Sequence, residues 1–265
     1  MHRPGILLGI ALILFNTPLG FAQPVPVAHR GLAGYAPENT RAAFQACLAL
    51  RLGFELDIRR IRSGELVVIH DDSVNRTTDG QGQVADLSLK QLQGLDAGRW
   101  FHPDFAGERV PTLAQVFELC RHEKLEPRLI ALDLKSFDES LATDLAKLVR
   151  EFSLRDRVVC IGLAIKDPAV RKSLKAADPR LPVAVLAQTR DDLKSALDDP
   201  LADWVYVRFL PTSEQVAAAR KAGKWIIAAG SQYSGREVEH WQAAARAGVD
   251  AILTDYPLEL RQATK

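Results

Sequence analysis

Short, nearly continuous apolar runs, each followed by an amphipathic stretch, recur along this chain. Val158-Val159-Cys160-Ile161 and Ile226-Ile227-Ala228-Ala229 are two of them. Such runs suit strands of a parallel sheet, because helical crossovers bury both of its faces. Strand patterns fall at 25–30, 54–61, 65–71, 128–135, 158–164, 182–188, 203–209, 224–229 and 250–254. Helical patterns fall at 39–51, 88–94, 112–124, 139–151, 168–177, 190–198, 212–222 and 236–247, with Gly53, Gly223 and Gly248 expected just past three helix ends. No linker or low-complexity stretch divides the 265 residues. Repeated strand–helix units over one undivided length predict the α/β class, as a (β/α)8 TIM barrel with a small loop-rich insertion. An open doubly wound sheet is the alternative, but no GxGxxG follows the first strand.

Two features break the alternation. Only Arg62-Ser63-Gly64 separates the second and third strand patterns. A parallel crossover needs about a dozen residues or more, so this link makes a hairpin or an irregular bend. One strand pattern is then extra to an eight-stranded barrel. The second feature is the glycine-rich stretch 72–111. Long ordered loops in compact enzymes often serve function, and this one could cover the barrel mouth.

The formal net charge is +1, with 47% hydrophobic and 25% charged residues. That balance leaves no electrostatic footprint for nucleic acid or an anionic membrane. At the N-terminus, basic His2 and Arg3 precede the apolar run Ile6–Phe15, and Gly20-Phe21-Ala22 fits a small-x-small cleavage site. The pattern reads as a secretory signal peptide over 1–22, giving a mature chain from Gln23 that is exported to a periplasm or secreted. A membrane anchor is the rival reading, but Asn16, Thr17 and Pro18 break the run before it is long enough to span. Cys47, Cys120 and Cys160 are odd in number with no CxxC spacing, so they read as small buried hydrophobes, with one disulfide at most.

Active sites of such barrels lie at the C-terminal ends of the strands. The first four strand patterns place His29 and Arg30, Glu55 and Asp57, His70 and Asp71, and Asp133 and Lys135 near those ends. In Glu55-Leu56-Asp57 the carboxylates are two residues apart and share one face of a strand. Two buried carboxylates repel, and one gains a proton unless a cation lies between them. Asp133 would complete an all-oxygen set, suited to a hard divalent cation, Mg²⁺ or Ca²⁺, rather than zinc. A divalent cation with an arginine and a lysine makes a positive pocket for phosphate. Two histidines can move protons on either side of it, which points to phosphodiester cleavage. Each group also has a plainer reading. Glu55 and Asp57 could pair with Arg59 and Arg60 at a solvated edge, Asp133 with Lys135 as a salt bridge, and His70-Asp71 could belong to a turn.

The joint pattern resembles the glycerophosphodiester phosphodiesterases. His29-Arg30-Gly31, Pro37-Glu38-Asn39-Thr40, Glu55-Leu56-Asp57, Leu66 to Asp71, Arg76-Thr77-Thr78, Val110 to Leu113, Asp133-Leu134-Lys135 and Gly248 to Pro257 carry the resemblance, in order along the chain. It implies a TIM barrel that hydrolyses glycerophosphodiesters, a small-molecule substrate, to glycerol 3-phosphate and an alcohol. Carried over, His29 and His70 are the acid–base pair, Arg30 and Lys135 hold the phosphate, and Glu55, Asp57 and Asp133 hold the metal. In the family mechanism one histidine helps the glycerol 2-hydroxyl attack phosphorus. The other protonates the leaving alcohol, and water then opens the cyclic phosphate.

Two departures stand out. Asp133 replaces a usual glutamate, and its shorter arm would draw the metal closer or admit a water ligand. Trp225 to Ser231 lacks the aromatic and asparagine usual near the eighth strand, so that side of the mouth is expected to bind a different glycerol or alcohol moiety, with Tyr206, Arg208 and Tyr233 as candidates. Glu38 is expected to support Arg30, and Asn39 or Thr40 to cap the first helix. A related phospholipase or lyase acting on lysophospholipid, sphingomyelin or phosphoinositide would need an apolar or basic lip, for which Trp100, Phe101 and Phe105 are the candidates. A non-catalytic phosphate-ligand binding protein would need to have lost a histidine or a metal ligand, and none is missing.

Overall fold

The computed structural model describes residues 23–122 and 129–265. Its strands are β1 (Val25–Ala28), β2 (Gly53–Arg60), β3 (Leu66–Val68), β4 (Ile130–Leu134), β5 (Val158–Ile161), β6 (Ala184–Ala187), β7 (Trp204–Val207), β8 (Trp225–Ala228) and β9 (Ala251–Thr254). Eight run parallel in the order β5-β4-β2-β1-β9-β8-β7-β6. A single bridge between Cys160 and Val183, with the Cys160 amide donating to Pro182 over 3.0 Å, brings the ends of that order together. The result is a nearly closed (β/α)8 barrel.

The continuous apolar runs are strands for the expected reason. Every residue of β1, β5, β6, β7 and β9 is buried, by the barrel interior on one face and by helices on the other. Helices Glu139–Glu151 and Pro168–Ala177 have the bounds their periodicity predicts, and Asp138 and Asp167 cap them. The helix expected over 112–124 is described as Leu113–His122, and its last two residues lie outside the described residues. Two short helices, Ser231–Ser234 and Pro257–Ala263, lie outside the helical patterns of the sequence. Cys47, Cys120 and Cys160 are free and buried, and burial pushes the thiols of Cys120 and Cys160 up to about 12.

The extra strand pattern is the third, and its short link makes the hairpin that the spacing predicts. β2 overshoots the barrel rim, turns at 62–64, and β3 returns antiparallel to it with Ile58 opposite Val68 and Arg60 opposite Leu66. Residues 69–70 are thus lowered onto the mouth, and the Ile69 amide donates to the Asp57 carbonyl over 3.0 Å. One expectation needs correction: Gly53 is not a helix terminator. Arg51 takes the left-handed conformation there, φ 55°, while Gly53 opens β2 where an added Cβ would meet the Leu129 carbonyl oxygen at 2.9 Å.

Residues 72–111 fold into short turns of helix around a small core of their own. Val74, Val84, Leu92, Ala97 and Val110 pack there against Ile61, Val67 and Ile69 of the hairpin. The segment therefore braces the hairpin that carries His70.

Candidate active site

β1 ends at Ala28, and the next two residues are His29 and Arg30. His29 Nδ1 is 2.6 Å from Asp255 Oδ1, the first residue after β9. His70 Nδ1 is 2.7 Å from Asp71 Oδ1. A carboxylate only accepts, so each Nδ1 carries the hydrogen, and Nε2 is left to exchange a proton with a ligand. Arg59 donates twice to the His70 carbonyl, over 2.9 and 2.8 Å, which fixes the backbone of that histidine.

Glu55 and Asp57 share the inward face of β2 and are buried, not a solvated edge. Neither pairs with Arg59 or Arg60, and Arg60 instead binds Asp138 and Asp144. Asp133 on β4 lies directly beside Asp57 in register. The three carboxylates bring ligand oxygens within 4.8 Å of one another. Lys135 Nζ bridges two of them, 3.0 Å from Asp57 and 2.8 Å from Asp133. The salt bridge expected as the plainer reading is therefore real, and it lies inside the cluster.

Burial, with Asp57 and Asp133 close by, raises the Glu55 carboxyl well above the usual range. Asp57 is also pushed up by burial, but Lys135, the Asn39 amide and Arg30 outweigh it and hold the group low. Burial raises Asp133 despite Lys135. Asp133 Oδ1 is buried with no hydrogen-bond partner. Three crowded carboxylates, two of them raised and one with an oxygen unpartnered, suit a hard divalent cation.

The loop after β1 is shaped by this cluster. Arg30 and Asn39 both adopt left-handed backbone, φ 53° and 57°, a strain of order 1 kcal/mol or more each. The strained geometry points the Arg30 amide at Glu55 Oε2, 2.8 Å away, and the Asn39 side-chain amide at Asp57 Oδ2, 2.6 Å away. Thr40, not Asn39, caps the first helix by accepting from the Ala43 amide. Glu38 supports Arg30 at 2.9 Å, as expected, and also binds Arg76. Arg76 in turn binds Asp71 at 2.7 Å, so ion pairs run unbroken from Arg30 to His70. The Arg76 hydrogen bond holds the Asp71 carboxyl far below its ordinary value.

These groups meet at a cavity of about 430 Å³ at the barrel mouth. His29, Arg30, Glu55, His70, Asp133 and Lys135 line one side, with Asp57 beneath, so all the expected site residues come together. Tyr206, Arg208, Gly230, Ser231 and Ser234 are on the other. Tyr233 is not on the wall; it is buried and donates to the Phe209 carbonyl over 3.2 Å. Asp255, Ser231 and Ser234 went unread. Arg208, a candidate from the sequence, lies on the cavity wall as expected. Asp255 directly follows β9, so the strand-end rule extended to later strands would have found it. A larger hollow of about 510 Å³ beside Arg60 and Glu151 lacks any histidine.

Cations to hold oxygens, with a proton donor and acceptor at hand, are what cleavage of a phosphodiester requires, and a parallel barrel carrying them at its mouth is a barrel phosphodiesterase. The chain belongs to the glycerophosphoryl diester phosphodiesterase family, whose model matches residues 29–259. It is 32% identical over 239 residues to a glycerophosphodiester phosphodiesterase of Caldanaerobacter subterraneus, covering 87% of this chain and 93% of that protein. A solved glycerophosphodiester phosphodiesterase from Agrobacterium tumefaciens superposes with TM-score 0.75 at 28% identity, over 90% of this chain and 99% of the other. An Oleispira antarctica phosphodiesterase solved with its product sn-glycerol-3-phosphate gives TM-score 0.74 at 25% identity, over 91% and 96%.

Proposed function

We propose that this cavity takes glycerophosphodiesters and hydrolyses them to glycerol 3-phosphate and an alcohol. The observation that carries the reading is the pair of histidines, each anchored at Nδ1 by its own carboxylate, on one cavity with Arg30 and Lys135. Arg30 and Lys135 hold the phosphate oxygens and offset the charge that builds on them. One histidine accepts the proton of the glycerol 2-hydroxyl as its oxygen bonds to phosphorus, and the other gives a proton to the alcohol oxygen as its bond to phosphorus breaks. Water then attacks the cyclic phosphate, losing a proton as its oxygen bonds to phosphorus, while the 2-oxygen regains one as its bond breaks, which leaves glycerol 3-phosphate. Glu55, Asp57 and Asp133 would hold one divalent cation, Ca²⁺ or Mg²⁺. When bound, it would polarise a phosphoryl oxygen. The family relation and the product held by the Oleispira phosphodiesterase support the same substrate class.

The test is a turnover screen with defined metals. Glycerophosphodiesters should release glycerol 3-phosphate, while bis-p-nitrophenyl phosphate and lysophospholipids turn over poorly. Activity confined to the latter two would sink the proposal. Residues 1–22 lie outside the described residues, and export is proposed from their sequence alone. N-terminal sequencing of protein recovered outside the cytoplasm should begin at Gln23. Retention of Met1 there would refute cleavage.

A further inference from the structure

The cavity carries three cations, and two are already matched. Arg30 faces Glu38 at 2.9 Å and Asp57 at 3.6 Å, and Lys135 lies between Asp57 and Asp133. Arg208 differs. It follows β7 on the opposite wall, it is exposed, and among the described residues no carboxylate pairs with it. What holds it is the Tyr206 hydroxyl, 3.1 Å from Nη1, and the Tyr206 ring beneath, 5.8 Å from Cζ. The wall beside it is cut back to make room. Gly230 has φ 109°, and a Cβ there would lie 3.0 Å from Arg208 Nε. Ser231 and Ser234 add two hydroxyls that bond to no described protein group.

A tethered guanidinium with two free hydroxyls and no acid is a receptor for an anion. On the reading above, the diester's phosphate is held across the cavity by Arg30 and Lys135. We infer that Arg208, with Ser231 and Ser234, receives the alcohol arm and selects diesters whose alcohol bears an anionic group, a carboxylate or a phosphate, over those bearing a cation. A choline or ethanolamine arm would bring like charge against Arg208, and nothing on that wall would offset it.

The inference rests on the phosphodiesterase reading, and one experiment separates the two. It measures kcat/KM for glycerophosphocholine, glycerophosphoglycerol, glycerophosphoserine and deacylated cardiolipin at fixed ionic strength. The serine arm offers a carboxylate beside its own ammonium, and the deacylated-cardiolipin arm a second phosphate with no cation, so the latter is the cleaner test of an anionic arm. The better of these two should exceed the choline diester by about tenfold or more, and added salt should shrink the gap. Arg208→Gln should bring that ratio to within about twofold, Arg208→Lys should keep most of it, and Arg208→Glu should reverse it. Arg208→Gln slowing every diester by one common factor would overturn the inference, as would wild-type preference for choline. No turnover of any diester would sink the phosphodiesterase reading, and the charge selection with it.

Discussion

His29 and His70 arrive by different routes, one at the end of a barrel strand and the other beyond an antiparallel return, yet both are seated on a carboxylate through Nδ1. The convergence argues that both rings handle protons. His29→Ala and His70→Ala should each lower kcat by about 10²–10⁴-fold with little change in thermal unfolding, since neither ring is buried. Full activity in both variants would refute the mechanism. Asp255→Asn should lower kcat by roughly 10–100-fold and shift the pH–rate profile, because the amide no longer fixes which nitrogen of His29 carries the proton. A change in KM alone would count against that role. At this scale the ionisable residues were legible from their places at strand ends. The carboxylate that seats His29 was not, because Asp255 is 226 positions away and only ring closure brings them together.

Among the elements, the hairpin of β2 and β3 decides what reaches the site. The sequence pattern marked the short link at 62–64 as incompatible with a crossover. It did not show that the return strand stays above the rim, because periodicity reports burial and not direction. Gly53 is the companion case. A glycine after a helix reads as a terminator, whereas here it lets β2 lie close to the Leu129 carbonyl. Gly53→Ala should destabilise the protein by about 1–3 kcal/mol in denaturant unfolding. No loss of stability would show that the neighbouring backbone gives way freely.

For the whole molecule, a carboxylate cluster set inside a barrel should make stability depend on the ion it binds. A ligand that binds only the folded state raises the unfolding temperature with its concentration. Ca²⁺ or Mg²⁺ added after chelation should therefore raise the unfolding temperature and restore turnover, and Asp133→Asn should blunt both responses. Indifference of both readouts to chelation would refute the cation site. The barrel itself was readable from strand–helix alternation, and so was an altered wall with Arg208 among its candidates, though not the absence of an acidic partner for that arginine. Among the described residues that wall lacks an acid, and a missing partner is visible only once the neighbours are in place.

The ring of strands is fastened unevenly, with one bridge joining β5 to β6 and four paired residues joining β1 to β9. In the strand order these two joints lie half a turn apart. Thermal breathing should then gather at the weak joint, and amide deuterium uptake there should outrun that along β1 and β9. Equal protection at both joints would contradict this. His29 and Asp255 straddle the four-pair joint, so that histidine and its carboxylate are mounted across the ring from where the barrel yields most.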